Sequence, residues 1–314
     1  MGKVAVVAIG GNSLISSKDK IAMKYQLENV QQTCQYITGM INRGWNVVIT
    51  HGNGPQVGFL LRRAELSLHE LPMIPLDIIG ADTQGAIGYM IQQSLHNEFI
   101  KQGVDRQAVT VVTQVLVDKD SPAFKNPSKP IGGFMSEEEG RQKMEEDGWD
   151  MVEDSGRGWR RVVPSPEPVE IIERDVIADL IGKGYIVICV GGGGIPVIKD
   201  EDSNLGGIAA VIDKDYASAK LASSIDADMF IISTAVEKVA LNFGKENQKD
   251  LDHLTLAEAK QYAREGHFAD GSMGPKIDAM VKFLENGGQE GLITSPPKLE
   301  DALEGKTGTR LTRK

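Results

Sequence analysis

The feature of this sequence that most limits its fold is a set of short, β-branched apolar runs, each ending in glycine or polar residues. Val4–Ile9 runs into Gly10-Gly11-Asn12-Ser13, Trp45–Thr50 into His51-Gly52-Asn53-Gly54-Pro55-Gln56, and Tyr185–Val190 into Gly191-Gly192-Gly193-Gly194. Ala108–Val117 ends at Asp118, Met229–Ser233 leads into Thr234-Ala235-Val236-Glu237, and Leu292–Thr294 is a shorter run of the same kind. Continuous apolar runs of this length suit strands buried on both sheet faces. Helical stretches lie between them, at Gln26–Arg43, Thr83–Gln102, Pro168–Lys183, Ser218–Ile225 and Gly274–Asn286. The alternation predicts parallel strands joined by right-handed crossovers, hence a three-layer α/β/α sandwich around a mainly parallel sheet. In such sheets ligands lie beyond the carboxyl ends of the strands, which is where these glycines fall.

Composition narrows the partners. The net charge of −10, with no basic tract, speaks against a nucleic-acid partner, because binding a phosphate backbone needs clustered Lys and Arg. Cys34 and Cys189 stand far apart in no CxxC pattern, which argues against a disulfide scaffold or a thiolate metal site and fits a reducing compartment. The Val4–Ile9 run is too short for the core of a signal peptide. No stretch approaches the ~20 apolar residues needed to span a bilayer. The expectation is a soluble, cytoplasmic protein with no membrane partner, its residues 1–314 forming one broad domain or two lobes.

The segment 121–163 breaks the alternation. It is rich in Pro, Gly and charge (Asn126-Pro127-Ser128-Lys129-Pro130, then Glu137-Glu138-Glu139) and is too long for an ordinary connection. It reads as an inserted, protruding subdomain or lid, with a solvated surface excursion as the plainer alternative.

Three glycine-rich loops at one sheet edge suggest an anion site, because glycine lets backbone N–H groups approach a ligand closely. None of them matches the GxxxxGK[ST] or GxGxxG patterns. Phosphoryl transfer needs positive charge and positioning around the moving group, which draws attention to Lys129 between prolines, Lys214 in Ile-Asp-Lys-Asp, and Lys276 at a helix start. Each lysine taken alone is equally a solvated surface charge. Asp213 is placed to orient Lys214 or to form a simple exposed pair, and Arg160 beside Trp159 is either a packing neighbour or a lid arginine reaching an anionic substrate. The five histidines show no HExxH spacing and there is no GxSxG elbow, so neither a catalytic zinc nor a serine nucleophile is expected.

Taken in order, Ala-Ile-Gly-Gly-Asn, His-Gly-Asn-Gly-Pro-Gln-Val-Gly, Asn-Pro-Ser-Lys-Pro-Ile-Gly, Glu-Asp-Ser-Gly-Arg-Gly-Trp-Arg, Gly-Gly-Gly-Gly-Ile-Pro-Val, Val-Ile-Asp-Lys-Asp and Gly-Ser-Met-Gly-Pro-Lys resemble the carbamate kinase family of the amino-acid kinase superfamily. The likeness runs from residue 4 to about residue 310. It implies a homodimer whose N-terminal half binds the acceptor and whose C-terminal half binds the nucleotide. The implied reaction interconverts ATP and carbamate with ADP and carbamoyl phosphate, using Mg²⁺, and commonly runs toward ATP in arginine breakdown. By the same resemblance Gly10, Gly11, Asn12, Gly52, Asn53 and Gly54, with Arg160, hold the acceptor and the phosphoryl group. Lys129, Lys214 and Lys276 flank the phosphates, Asp213 organises the lysines, and Gly192, Gly193, Thr234, Ala235, Phe243 and Met273 serve the nucleotide. Ser128, Met135, Asp82, Ser155, Ala240 and Asp270 depart from the usual pattern. The competing readings are a kinase of an acylated amino acid and a nucleotide-binding relative without turnover.

Overall fold

The structure, a computed structural model, describes residues 2–11, 14–15, 20–154, 156–269 and 271–314. Asn12, Ser155 and Asp270 of the sequence reading lie outside these described residues.

The apolar runs assemble, with two strands the sequence reading missed (His253–Thr255 and Thr309–Thr312), into an eight-stranded sheet in the order His253–Thr255, Thr309–Thr312, Glu290–Thr294, Met229–Ser233, Val4–Ile9, Asn46–His51, Ile186–Ile188, Ala108–Thr110. All neighbours are parallel except Glu290–Thr294 against Thr309–Thr312. The strand period of two divides each run between two cores. Val6 and Ala8 face one core with helices Arg174–Gly182, Lys214–Ser224, Leu256–Arg264 and Gly274–Glu285. Ala5, Val7 and Ile9 face the other, with helices Met23–Asn42 and Leu76–Gln102. Burial on both faces is why these strands are apolar throughout, and the result is the expected three-layer α/β/α sandwich.

Two elements differ from expectation. The Ala108–Val117 run is broken: Ala108–Thr110 ends the large sheet, while Gln114–Val117 joins a second sheet of Leu205–Gly207, Ile195–Lys199, Gln114–Val117 and Pro168–Ile171. The break falls where the Gln84 side chain takes both backbone groups of Thr113, accepting from its N–H at 2.8 Å and donating to its carbonyl at 3.1 Å. The Pro168–Lys183 helix is likewise a strand, Pro168–Ile171, followed by a helix from Arg174. Pairing with Gln114–Val117 and the Glu173 carboxylate, which accepts from Gln114 N at 2.8 Å and Nε2 at 2.9 Å, overrides the helical pattern there.

Within the 121–163 segment, Lys129–Met135, Trp159–Val163 and Asp150–Glu153 form a separate three-stranded antiparallel sheet. Helix Glu137–Asp147 crosses it, opened by a Ser136/Glu139 capping box and closed by left-handed Gly148. The unit docks on helix Gly54–Leu66 through a small core of Val57, Leu61, Ile79, Ile131 and Val163. Among the described residues no helix is long and apolar enough to cross a membrane. Cys34 and Cys189 are buried free thiols, and burial pushes both far above the ordinary thiol range, so neither is a nucleophile at neutral pH.

Candidate active site

Strands Met229–Ser233, Val4–Ile9, Asn46–His51 and Ile186–Ile188 are adjacent and parallel, so the loops that follow them gather at one edge of the sheet. Gly10 N donates to Ser233 O at 3.1 Å and Gly52 N to Ile9 O at 3.1 Å, which carries the ladder one step past the strands. A Cβ on Gly52 would lie 3.3 Å from Lys214 Cδ and 3.7 Å from Gly11 N, so Gly11, Gly52 and Lys214 converge on one small volume.

Gly54 opens helix Gly54–Leu66, and Asn53 at its N-cap makes no capping hydrogen bond with its side chain. Pro55 has no N–H and Val57 N donates to Asn53 O at 3.0 Å, so the Gly54 and Gln56 N–H groups are the first-turn donors left for an anion. The Asn53 side chain turns away to donate from Nδ2 to Thr83 Oγ1 at 2.8 Å.

The third loop is held more tightly. Val190 adopts φ 51°, a left-handed conformation that costs a β-branched residue about 1–3 kcal/mol. Its N–H donates to Thr113 Oγ1 at 3.0 Å, and Gly191 O accepts from Gln84 Nε2 at 3.0 Å. Gly192 and Gly193 have φ 69° and 96°, and added Cβ atoms would lie 2.1 Å from Asn53 Nδ2 and 2.3 Å from Ile212 O respectively. Glycine is required there by both backbone angle and space.

Three lysines reach this edge from distant parts of the chain. Lys129, first residue of its strand in the 129–163 unit, donates to Asp213 Oδ2 at 2.6 Å. Lys214 begins helix Lys214–Ser224 and donates to Asp215 Oδ1 at 2.5 Å. Lys276, in the first turn of helix Gly274–Glu285, donates to Asp215 Oδ2 at 3.3 Å and to Ser272 O at 3.1 Å.

The resemblance gave Asp213 the task of organising the lysines; in the structure the task is shared. Asp213 engages Lys129 and also caps its own helix, Oδ1 accepting from Asp215 N at 2.8 Å. Burial pushes the Asp213 carboxyl up, but the charge and hydrogen bond of Lys129, the Asp215 N–H and the charge of Lys214 outweigh it and hold the group below the usual carboxylate range. Asp215, which is 3% exposed, joins Lys214 to Lys276. Sequence reasoning missed Asp215 although it stands in the quoted Ile-Asp-Lys-Asp, because its second partner lies 61 residues away.

His51 ends its strand fully buried, with Nδ1 donating to Gly52 O at 3.0 Å. A carbonyl only accepts, so the ring proton sits on Nδ1. Burial, aided by the charge of Lys214 and only partly opposed by the Gly52 carbonyl, pushes its pKa down to about 4. The imidazole is thus neutral at physiological pH, and no strong base is built into this edge.

Of the remaining predicted residues, Met273 adjoins a lysine: its carbonyl accepts from Lys276 N at 3.1 Å. Arg160 donates from Nη1 to Asp154 Oδ2 at 3.0 Å and from Nη2 to Gly132 O at 3.3 Å, inside the 129–163 unit, and its buried Nε has no partner. Thr234 N donates to Thr294 O at 2.9 Å, and Ala235 is exposed just beyond the same sheet edge. Met273 is the N-cap residue of the Lys276 helix, and Phe243 is 68% exposed in the turn after Val239–Leu241. Among the described residues no group of three or more His, Cys, Asp or Glu is arranged to hold a metal ion. Asp213 and Asp215 already face lysines, so a divalent cation fits this edge only if anionic oxygens of a ligand supply most of its coordination.

Glycine loops suited to an anion and a lysine cluster with no strong base beside it are chemistry without a lineage, and comparison with known proteins supplies one. The profile of the Amino acid kinase family matches residues 3–295. The chain belongs to the amino acid kinase family. It is 50% identical over 314 residues to the carbamate kinase of Thermococcus kodakarensis, covering 99% of each chain. It is 49% identical to a carbamate kinase-like protein of Escherichia coli, covering 98% of this chain and 99% of that one. A solved carbamate kinase from Giardia lamblia bound to AMP-PNP superimposes with a TM-score of 0.93 at 41% identity, over 99% of this chain and 98% of that one. Within the amino acid kinase family the chain thus groups with the carbamate kinases, as an ATP-dependent kinase.

Proposed function

We propose that this kinase transfers a phosphoryl group between ATP and carbamate, reversibly, giving ADP and carbamoyl phosphate. The observation that carries the reading is the cluster of Lys129, Lys214 and Lys276 held by Asp213 and Asp215 where the glycine loops converge, with no base beside it. Carbamate needs no base, being already an anionic oxygen nucleophile. In the forward direction its oxygen forms a bond to the γ-phosphorus of ATP, the bond from that phosphorus to the bridging oxygen breaks, and ADP leaves with the electron pair. The barrier is then mainly repulsion between anions, which fixed positive charge and N–H donors lower. Mg²⁺ would be held mainly by anionic oxygens of the nucleotide and would supply further charge neutralisation.

In this reading Gly10, Gly11, Asn12, Gly52, Asn53 and Gly54 hold the acceptor side, and Gly192, Gly193, Thr234, Ala235, Phe243 and Met273 the nucleotide side. The 121–163 segment is the lid that delivers Lys129, steadied by Arg160. A homodimer is supported by an open edge strand, Ala108–Thr110, flanked by exposed Tyr89, Ile100 and Val112. Use for ATP synthesis in arginine catabolism, in the cytoplasm, is the physiological setting that follows.

A second reading, a related acyl phosphate as donor, is favoured by the carbamate kinase-like relative's 49% identity, which matches that of named carbamate kinases. A coupled assay of ATP formation from ADP decides: activity with carbamoyl phosphate supports the first reading. Activity with another acyl phosphate alone supports the second, and nucleotide binding without turnover rejects both.

A further inference from the structure

Helix Leu76–Gln102 places two consecutive buried polar side chains, Thr83 at 1% and Gln84 at 2% exposure, against the undersides of two different glycine loops. Thr83 Oγ1 donates to Gly80 O at 2.8 Å, which leaves it to accept from Asn53 Nδ2 at 2.8 Å. That contact fixes the Asn53 amide at the head of helix Gly54–Leu66, where its side chain makes no capping hydrogen bond. Gln84 uses its whole amide: Oε1 accepts from Thr113 N, and Nε2 donates to Thr113 O and to Gly191 O. Thr113 Oγ1 in turn accepts from the N–H of strained Val190.

The two loops also meet directly. Added Cβ atoms on Gly191 and Gly192 would lie 2.4 Å from His51 Nε2 and 2.1 Å from Asn53 Nδ2, so any shift of one loop moves the other. A left-handed Val190 persists only where its surroundings over-determine it, and the Thr113 hydroxyl and the Gln84 amide are those surroundings. Buried amides and hydroxyls with every group matched act as rigid spacers, because leaving one unmatched is costly.

We propose that Thr83 and Gln84 are positioning residues: from one turn of one helix they set the spacing between the Gly52–Gly54 and Gly191–Gly194 loops, and through it the rate of phosphoryl transfer. Neither touches the lysines in the structure, so they act through the loops and not on the reacting atoms. The inference rests on the phosphotransfer reading for its kinetic consequence, but not for the geometry itself.

The test is therefore double. Amide hydrogen exchange on the full chain without substrate should speed up about tenfold at 190–194 in Gln84→Met and at 52–54 in Thr83→Val, and stay near wild type in Thr83→Ser, which keeps the hydroxyl. In the ATP-forming assay kcat should fall about 100-fold in Gln84→Met and about tenfold in Thr83→Val, with KM for ADP within about threefold and Thr83→Ser restoring most of the rate. Unchanged exchange in both loops overturns the proposal, as does equal kcat in Thr83→Val and Thr83→Ser. A wild-type chain with no turnover on any acyl phosphate overturns the functional reading instead, and the exchange measurement still decides the spacing.

Discussion

In the sandwich, strands such as Val4–Ile9 and Met229–Ser233 are buried on both faces between two cores, and Phe230 meets Phe283 edge to face at 5.6 Å. In the 129–163 unit the buried hydrophobics among the described residues are Ile131, Met151, Val162 and Val163. Its periphery relies instead on exposed ion pairs such as Arg141 with Glu137, and on Arg157 and Arg160 flanking the Phe134 ring at 4.9 and 5.1 Å. The first kind of cohesion is proportional to apolar area and not screened by salt; the second is screened and weak pair by pair. The unit that carries Lys129 is therefore held by less apolar packing than the strands that carry the glycine loops.

The largest expected effects come from severing the two regions chemically. Lys129→Ala and Lys214→Ala should each lower turnover by about 10²–10³-fold, with melting temperatures close to wild type. Coupled ATP formation and calorimetry check this, and near-normal turnover in both would remove these residues from the chemistry.

The rigid loop is challenged next by Gly192→Ala, which meets the Asn53 amide at 2.1 Å in a left-handed conformation. It should cost about 1–3 kcal/mol in urea unfolding and most of the activity. Gly148→Ala in the 129–163 unit has open space and the same kind of backbone angle, and should cost only about 1 kcal/mol with activity retained. Equal effects at the two positions would erase the contrast.

The buried histidine gives the sandwich a pH signature that the 129–163 unit lacks. His51 has its pKa pushed down to about 4, so between about 6.5 and about 4 the unfolded chain binds a proton that the folded one does not. Stability should fall as pH drops through that window, by roughly 3 kcal/mol in total, and flatten below it. His51→Asn should remove that slope from urea midpoints taken across the window. Asp213 acts in the same direction at lower pH: its depressed pKa contributes stability above the ordinary carboxylate range, lost as pH falls through the folded value. The smallest effect is expected for Arg141→Ala, which breaks an exposed pair and should change stability by less than about 0.5 kcal/mol.

What the sequence made legible follows the same division. Val4–Ile9, Met229–Ser233 and the glycines after the strands were readable because burial on both faces and close backbone approach leave marks in local composition. The lysines were visible as residues but not as a cluster, since 129, 214 and 276 meet only through the fold. Asp215, Thr83 and Gln84 left almost no mark: a buried polar side chain in a helix looks like any other until its distant partners, 29 to 107 residues away, are in place. The Ala108–Val117 break was hidden for the same reason, its cause being a glutamine on another element.

The cluster of three lysines and two aspartates carries, by count, a net charge of only +1 (three positive, two negative). A site with all three lysines unpaired would hold a polyphosphate so firmly that product would leave slowly. By sharing its cations with Asp213 and Asp215, this one keeps the directionality of three ammonium groups while surrendering much of their grip. If the reaction runs in either direction as proposed, with a charged product released each time, such a site gains more from exit than from tenacity.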